Sequence, residues 1–430
     1  MDQPTETGQT PGTYAATEGL QDQLQQPGEQ SHPAVWRYAL AVIIIVVTLG
    51  LLAVGLAMGG EPARFVSAGL QFIPLAILAA LAYSGVKHAV AAFFCYVWLA
   101  ILACGTLLLV LQFTLFALVR DFTAFGQVLN NRDALLRISY DRAYFCEVFK
   151  CADMGGVLLW TLALLGVAAL ASAAMLFRPV RALVARMVPI DPDNFVHKIA
   201  LVFLTFATLS SFAPLVALGG RAPLLELMSN EDIQRVGKQA GLEITPLDQL
   251  YQFVWMIPTT FIAAGWLIAR SSRQTLARLG MVKPTGRQML AGVVLGAALV
   301  LISGFVLDPA IRWLWGIMGW PTTNEQAFQQ IVSKLLTPVG AAIIGVTAGI
   351  GEEMAVRGLL QPRLGLVLSN LVFTAAHAFQ YNTDALLGVF ILGLVLGLIR
   401  ARSNTTTSAI THGVYDFLAV MGTVLAPPQS

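Results

Sequence analysis

Near its C-terminal end the chain carries six residues whose types and spacing could do acid–base chemistry. They fall in three clusters. "GEEMAVRG" holds Glu352, Glu353 and Arg357, "FTAAHAF" holds His377 with Phe373 beside it, and "THGVYDF" holds His412 and Asp416. On a helix, Glu353 and Arg357 are one turn apart and can pair. Glu352 is rotated about 100° from Glu353 and is less easily neutralised by that arginine. Phe373 lies one turn before His377, and His412 one turn before Asp416, so that Asp416 could fix the tautomer of His412 or act with it on a substrate.

A carboxylate with two imidazoles can activate water: the carboxylate takes a proton and an imidazole orients the nucleophile. The same three groups, Glu352, His377 and His412, also form a His2Glu set that could hold Zn2+ or another divalent cation with one position open to water. HExxH is absent, and no GxSxG accompanies a His and an Asp, so neither an ordinary zincin nor a serine hydrolase site is indicated. Two other readings use the same residues. Intramembrane Glu, His and Asp build the proton relays of carriers, although no internal repeat is visible. The fold could also serve as a catalytically silent scaffold or immunity protein.

The segments that must position these groups are apolar. Of 430 residues, 57% are hydrophobic and only 12% charged, against about 25% charged in soluble domains. The expected fold class is therefore all-α: a polytopic transmembrane helical bundle in a lipid bilayer. Its net charge of +2 gives no electrostatic case for nucleic acid. About eleven spans are expected, at 36–58, 65–84, 88–119, 155–177, 199–219, 249–269, 288–307, 337–361, 366–380, 385–399 and 404–425. The Trp-rich 309–320 segment reads as interfacial. Residues 1–35, without Lys or Arg, read as a disordered tail rather than a signal peptide.

The basic loops 177–187 and 270–287 fall on one side of this arrangement, which places them and the N-terminus in the cytoplasm. The loops 120–154 and 220–248 then face outward, where Cys146 and Cys151 can form a local disulfide. Cys95 and Cys104, in an apolar run, are expected to pack against neighbours. The spans before residue 249 carry few ionisable groups, and those after it carry the unusual ones. Three units follow: 1–35, a membrane region at 36–248 and a functional core at 249–426. Measured inward from Arg363 and Arg402, Glu352, His412 and His377 lie roughly 16, 15 and 21 Å deep. Three separate helices thus bring ionisable groups to one level, and such groups inside spans mark function by default.

The ordered set "EEMAVRG", "FTAAH" and "HGVYD" resembles the CPBP family, the CAAX-type prenyl proteases and bacteriocin-processing enzymes also called Abi or intramembrane metalloproteases. The resemblance covers roughly residues 250–426, including "LARLGMVKPTGRQMLAGVVLG". It implies a CAAX-protease-like membrane core that hydrolyses peptide bonds of a protein or peptide substrate, one that can be membrane-anchored. By motif position it implies Glu352 as the water-activating carboxylate, with Arg357 as its structural partner and Glu353 as the second motif glutamate. His377 would position the water, and His412 and Asp416 would stabilise the oxyanion or bind substrate backbone. Val356 stands where the family often has an aromatic residue, and Asp416 where the eukaryotic prenyl proteases resemble Asn. Both departures, with the extra N-terminal spans, favour a prokaryotic cell-membrane member.

Overall fold

The computed structural model describes residues 50, 53–55, 57–240 and 244–426. The proposed tail at 1–35 and nearly all of the span at 36–58 lie outside them. The described chain is helical, with isolated bridges only and no strand among the described residues. In chain order the principal helices are α1 (Gly60–Leu70), α2 (Ile73–Gly85), α3 (Ala89–Ala117), α4 (Cys151–Ala174), α5 (Phe195–Ala217), α6 (Pro246–Ala263) and α7 (Ser272–Leu279). They continue as α8 (Gly286–Met318), α9 (Pro338–Ala376), α10 (Thr383–Arg402) and α11 (Thr405–Leu425).

Seven of these, α3 to α5 and α8 to α11, are long and apolar enough to cross a membrane, and the α1–α2 pair, bent by 41°, would add an eighth. The expected count of about eleven is not reached, for identifiable reasons. The first proposed span is not described. The segment at 249–269 forms the 18-residue α6, which is long enough but not apolar enough to count as a span. The two proposed spans at 337–361 and 366–380 run on as the single helical stretch α9.

That stretch is nevertheless two arms. A straight helix would hold Arg357 and Phe373 roughly 24 Å apart. The Arg357 guanidinium instead sits 4.4 Å over the Phe373 ring. The chain folds back at Gly365, whose φ of 69° and ψ of −178° belong to glycine alone. Pro362 lies just before this bend, where a second helix begins. The first arm thus carries the glutamates and the second arm carries Phe373 and His377.

The first arm is locally widened. Residues Ala348–Glu352 and Met354–Leu360 are π-helical, with Glu353 between them. Such wide turns are rare and cluster at functional sites. The 309–320 segment is corrected by the structure: Asp308–Met318 is not a separate interfacial piece but continues α8. Of its three tryptophans only Trp315 is buried, donating from its indole nitrogen to the Thr383 hydroxyl at 3.1 Å.

The helices meet through small residues. A Cβ on Gly345 would lie 2.6 Å from the Gly413 carbonyl, and one on Gly413 would lie 2.5 Å from the Gly345 carbonyl. Gly349 approaches the Ala409 carbonyl and Gly296 the Thr411 carbonyl equally closely. α11 is therefore clasped between the first arm of α9 and α8 by Gly-x-x-x-Gly pairs at 345/349 and 292/296. In lipid, close backbone approach replaces the hydrophobic drive for helix association. The outward faces carry the large apolar side chains, among them Leu108, Trp160 and Phe305. Buried positions on α11 are instead Thr405, Thr407, Ser408, Thr411 and His412.

The segment at 120–154 is not an open loop. It forms Phe122–Asn130, Arg132–Tyr140 and Arg142–Val148, packed around Ala124, Val128, Tyr144 and Val148. The Cys146–Cys151 disulfide is present, with a Cα–Cα distance of 5.1 Å. Lys150 pairs with Glu226 at 3.2 Å, tying this cap to the 220–248 segment. Cys95 is fully buried as expected, whereas Cys104 lies exposed on the outer face of α3.

Candidate active site

Glu353 is the hub of the cluster. It is completely buried, and its Oε1 lies 2.9 Å from Arg357 Nη1. The approach is an ion pair off the hydrogen-bond line, since Nη1 makes no hydrogen bond. Arg357 Nη2 donates instead to the Gly393 carbonyl at 2.9 Å. The same Glu353 Oε1 accepts from His412 Nδ1 at 3.0 Å, and Oε2 accepts from the Ser408 hydroxyl at 2.6 Å. A carboxylate out of water is tolerable only when paired and fully hydrogen-bonded, and here every partner comes from a helix packed by the contacts above.

This places Glu353, not Asp416, in command of the His412 tautomer. A carboxylate oxygen can only accept, so the proton sits on Nδ1, and Nε2 points toward Asp416 Oδ2 at 3.4 Å. Asp416 lies on the same helix, one turn on, as the spacing suggests. His412 is thus set between two carboxylates, Glu353 at Nδ1 and Asp416 at Nε2.

His377 ends the second arm. Its Nδ1–H donates to the Phe373 carbonyl at 2.9 Å, which leaves Nε2 with its lone pair free to hold or take a proton. Its ring stacks on Tyr381 at 6.0 Å and meets Phe373 edge-on at 4.8 Å. Phe373 also faces His412 at 6.3 Å. One aromatic ring therefore touches Arg357, His377 and His412, and spaces the two imidazoles.

Glu352 stands apart. It is only partly buried and has no hydrogen bond or ion pair among the described residues. It does lie within electrostatic reach of Tyr381, His412 and Asp416. The six residues singled out by spacing are thus brought into one neighbourhood, divided into a satisfied hub around Glu353 and an unpaired carboxylate at Glu352. Among the described residues no three His, Cys, Asp or Glu side chains are grouped to hold a metal ion. The residues present do not fit a metal ligand set, and no step below is routed through one.

Spacing alone missed Ser408, Gly393, Asn370 and Gln361. Asn370 donates to the Phe390 carbonyl at 2.8 Å and Gln361 to the Gly397 carbonyl at 2.8 Å. With Arg357 on Gly393, three α9 side chains grip one face of α10, where glycines bare the backbone. The Gly-x-x-x-Gly pairs were the available signal for this packing, whereas Ser408 inside "TTTSAITH" gave none. Gly393 is the tightest point: a Cβ there would meet Asn370 Oδ1 at 1.9 Å and Arg357 Nη2 at 3.0 Å. We expect Gly393→Ala to cost about 1–3 kcal/mol through overpacking. Unfolding measured in nanodiscs checks this; a variant as stable as the parent would show that the α9–α10 contact yields freely.

Residues 334–418 match the family model described as type II CAAX prenyl endopeptidase Rce1-like. The matched stretch is about a fifth of the chain and contains all six candidate residues. No curated protein matches, and no solved structure matches.

Proposed function

We propose, taking the Rce1-like stretch and the integral membrane character as premises, that this protein is an intramembrane endopeptidase in which Glu352 activates water. The observation that carries the reading is the division of labour between adjacent glutamates. Glu353 is saturated by Arg357, His412 and Ser408, while Glu352 keeps its carboxylate unpaired within reach of His412 and Asp416. A purely structural cluster would have no use for the second, unpaired charge, because a charge in a membrane interior is costly.

The chemistry follows from the hydrogen bonds. Glu352 takes a proton from water as the water oxygen attacks the scissile carbonyl carbon. His377, with Nε2 unprotonated, accepts a hydrogen bond from the same water and holds it in line. Set between two carboxylates that can only accept, His412 carries a proton on Nε2 as well as on Nδ1 and can donate it to the developing oxyanion, while Asp416 holds that ring or accepts from a substrate backbone N–H. The C–N bond then breaks, and the proton held by Glu352 passes to the leaving amine. General-base assistance of this kind contributes about 10²–10⁴-fold, and a donor to the oxyanion about 10²–10³-fold.

The substrate is a protein or peptide, one that can be membrane-anchored, and the setting is a prokaryotic cell membrane with the N-terminus and the basic loops in the cytoplasm. The test is a comparison of membrane proteomes from cells with and without the protein. At least one precursor is expected to accumulate uncleaved in its absence, with a single neo-terminus restored on re-expression. Identical peptide termini in both proteomes would count against the reading.

A further inference from the structure

Beside the site lies a chamber that none of the six candidate residues lines. It is a cavity of about 580 Å³ between α2, α5, α6 and the two arms of α9. That volume is typical of a small-molecule site. Its walls are apolar, formed by side chains such as Leu78, Phe203, Leu204, Ala207, Val372 and Leu359. It is also lined by Arg270, Arg278 and Arg363, which lie within electrostatic reach of one another around Arg278. Arg270 follows α6, Arg278 lies in α7 and Arg363 stands at the fold-back of α9, so all three occupy the basic edge of the bundle.

The arginines are partly buried, and none has a carboxylate partner among the described residues. Their recorded bonds go to neutral groups. Arg270 donates to the Ala264 carbonyl and the Tyr83 hydroxyl, Arg278 to the Gly358 and Leu359 carbonyls, and Arg363 to the Pro189 carbonyl. Each guanidinium has five N–H donors, so donors remain on all three. Burial pulls Arg278 down to about 10, and the charges of Arg363, Arg270 and Arg400 push the same way. Positive charge without an ion-pair partner is therefore gathered in the wall of an apolar chamber. His197 and Asn194 also line the cavity; Asp191, whose N–H donates to His197 and whose charge reaches it, forms no ion pair with any of the three arginines.

We propose that this cavity binds an anionic membrane phospholipid, with an acyl chain in the chamber and the phosphate on Arg270, Arg278 and Arg363. Basic pockets between membrane helices at the cytoplasmic side are suited to such headgroups. An uncharged isoprenoid would leave the arginines unanswered, and a free phosphate would leave the apolar walls uncovered. The bound lipid would join the N-terminal helices to both arms of α9, bracing Ala355 and Ala376, which line the cavity next to the glutamate and His377 segments.

The experiment reads lipid binding, so it stands or falls separately from the proteolytic reading. The full chain, delipidated in mild detergent, is mixed with equal amounts of phosphatidylglycerol and phosphatidylcholine of identical acyl chains and examined by native mass spectrometry. The anionic lipid is expected to be retained over the zwitterionic one by at least about tenfold. Arg363→Gln is expected to reduce that preference about fivefold. Arg363→Lys should largely keep it, and Ala207→Phe should lower retention of both lipids by filling the chamber. Arg278→Gln adds a second charge variant, and because Arg278 also holds two backbone carbonyls, Arg363→Gln carries the test if Arg278→Gln does not fold. Equal retention of the two lipids, or an unchanged preference in Arg363→Gln, overturns the proposal. Displacement by glycerol 3-phosphate at millimolar concentration overturns it in favour of a phosphate site, and displacement by a farnesylated peptide overturns it in favour of a substrate pocket.

Discussion

Glu352→Gln is expected to abolish peptide hydrolysis, with a loss of about 10²–10⁴-fold or more, while leaving the helical bundle intact. Glutamine keeps the shape and polarity of the side chain but cannot take a proton. Glu352 makes no hydrogen bond or ion pair among the described residues, so nothing in the packing depends on its charge. The relevant measurement is the turnover of an identified substrate by purified variant and parent in the same lipid, with unfolding followed in parallel. An inactive variant of unchanged stability supports the role of general base. Undiminished turnover would remove Glu352 from the mechanism, and inactivity with lost stability would move it into the structural hub.

Arg357→Met should give the opposite pattern. Arg357 is one of the largest fully buried side chains, and it answers Glu353, the Gly393 carbonyl and the Phe373 ring together. Removing it strands a completely buried carboxylate, with only Ser408 and His412 left as partners. Breaking a buried pair in this way costs about 3–5 kcal/mol. The double variant Glu353→Gln, Arg357→Met removes the stranded charge and is expected to recover part of that stability, since replacing both members of a buried pair is often near neutral. It should not recover activity, because an uncharged amide oxygen replaces the carboxylate and the charge-assisted bond that holds His412 is lost. Unfolding free energies in nanodiscs for the two singles and the double close the cycle. A single variant as stable as the parent would show that the pair contributes nothing to the fold.

The two predictions separate neighbours in sequence because adjacent residues on a helix face different directions. Spacing already distinguished Glu353 from Glu352 through the i, i+4 relation to Arg357. It did not show that Glu353 also holds His412, which is 59 residues away and on another span. It did separate the two arms of α9 as the spans 337–361 and 366–380 with Arg363 between them, but not that Phe373 of one would lie over Arg357 of the other.

The sequence by itself determined the class of molecule and the inventory of its site. Low charge and long apolar runs require helices in a bilayer, because backbone groups there must be satisfied within the segment. Ionisable residues at matching depth in three of those runs mark the chemistry, and local spacing pairs Glu353 with Arg357 and His412 with Asp416. The tertiary structure decided which groups are already neutralised. The reversal at Gly365 lays Phe373 over Arg357, and the glycine contacts at 345, 349 and 413 press α11 against the first arm so that His412 and Ser408 reach Glu353. These are contacts across helices, set by close backbone approach rather than by any periodicity along one. They convert two similar glutamates into a locked hub and a free carboxylate.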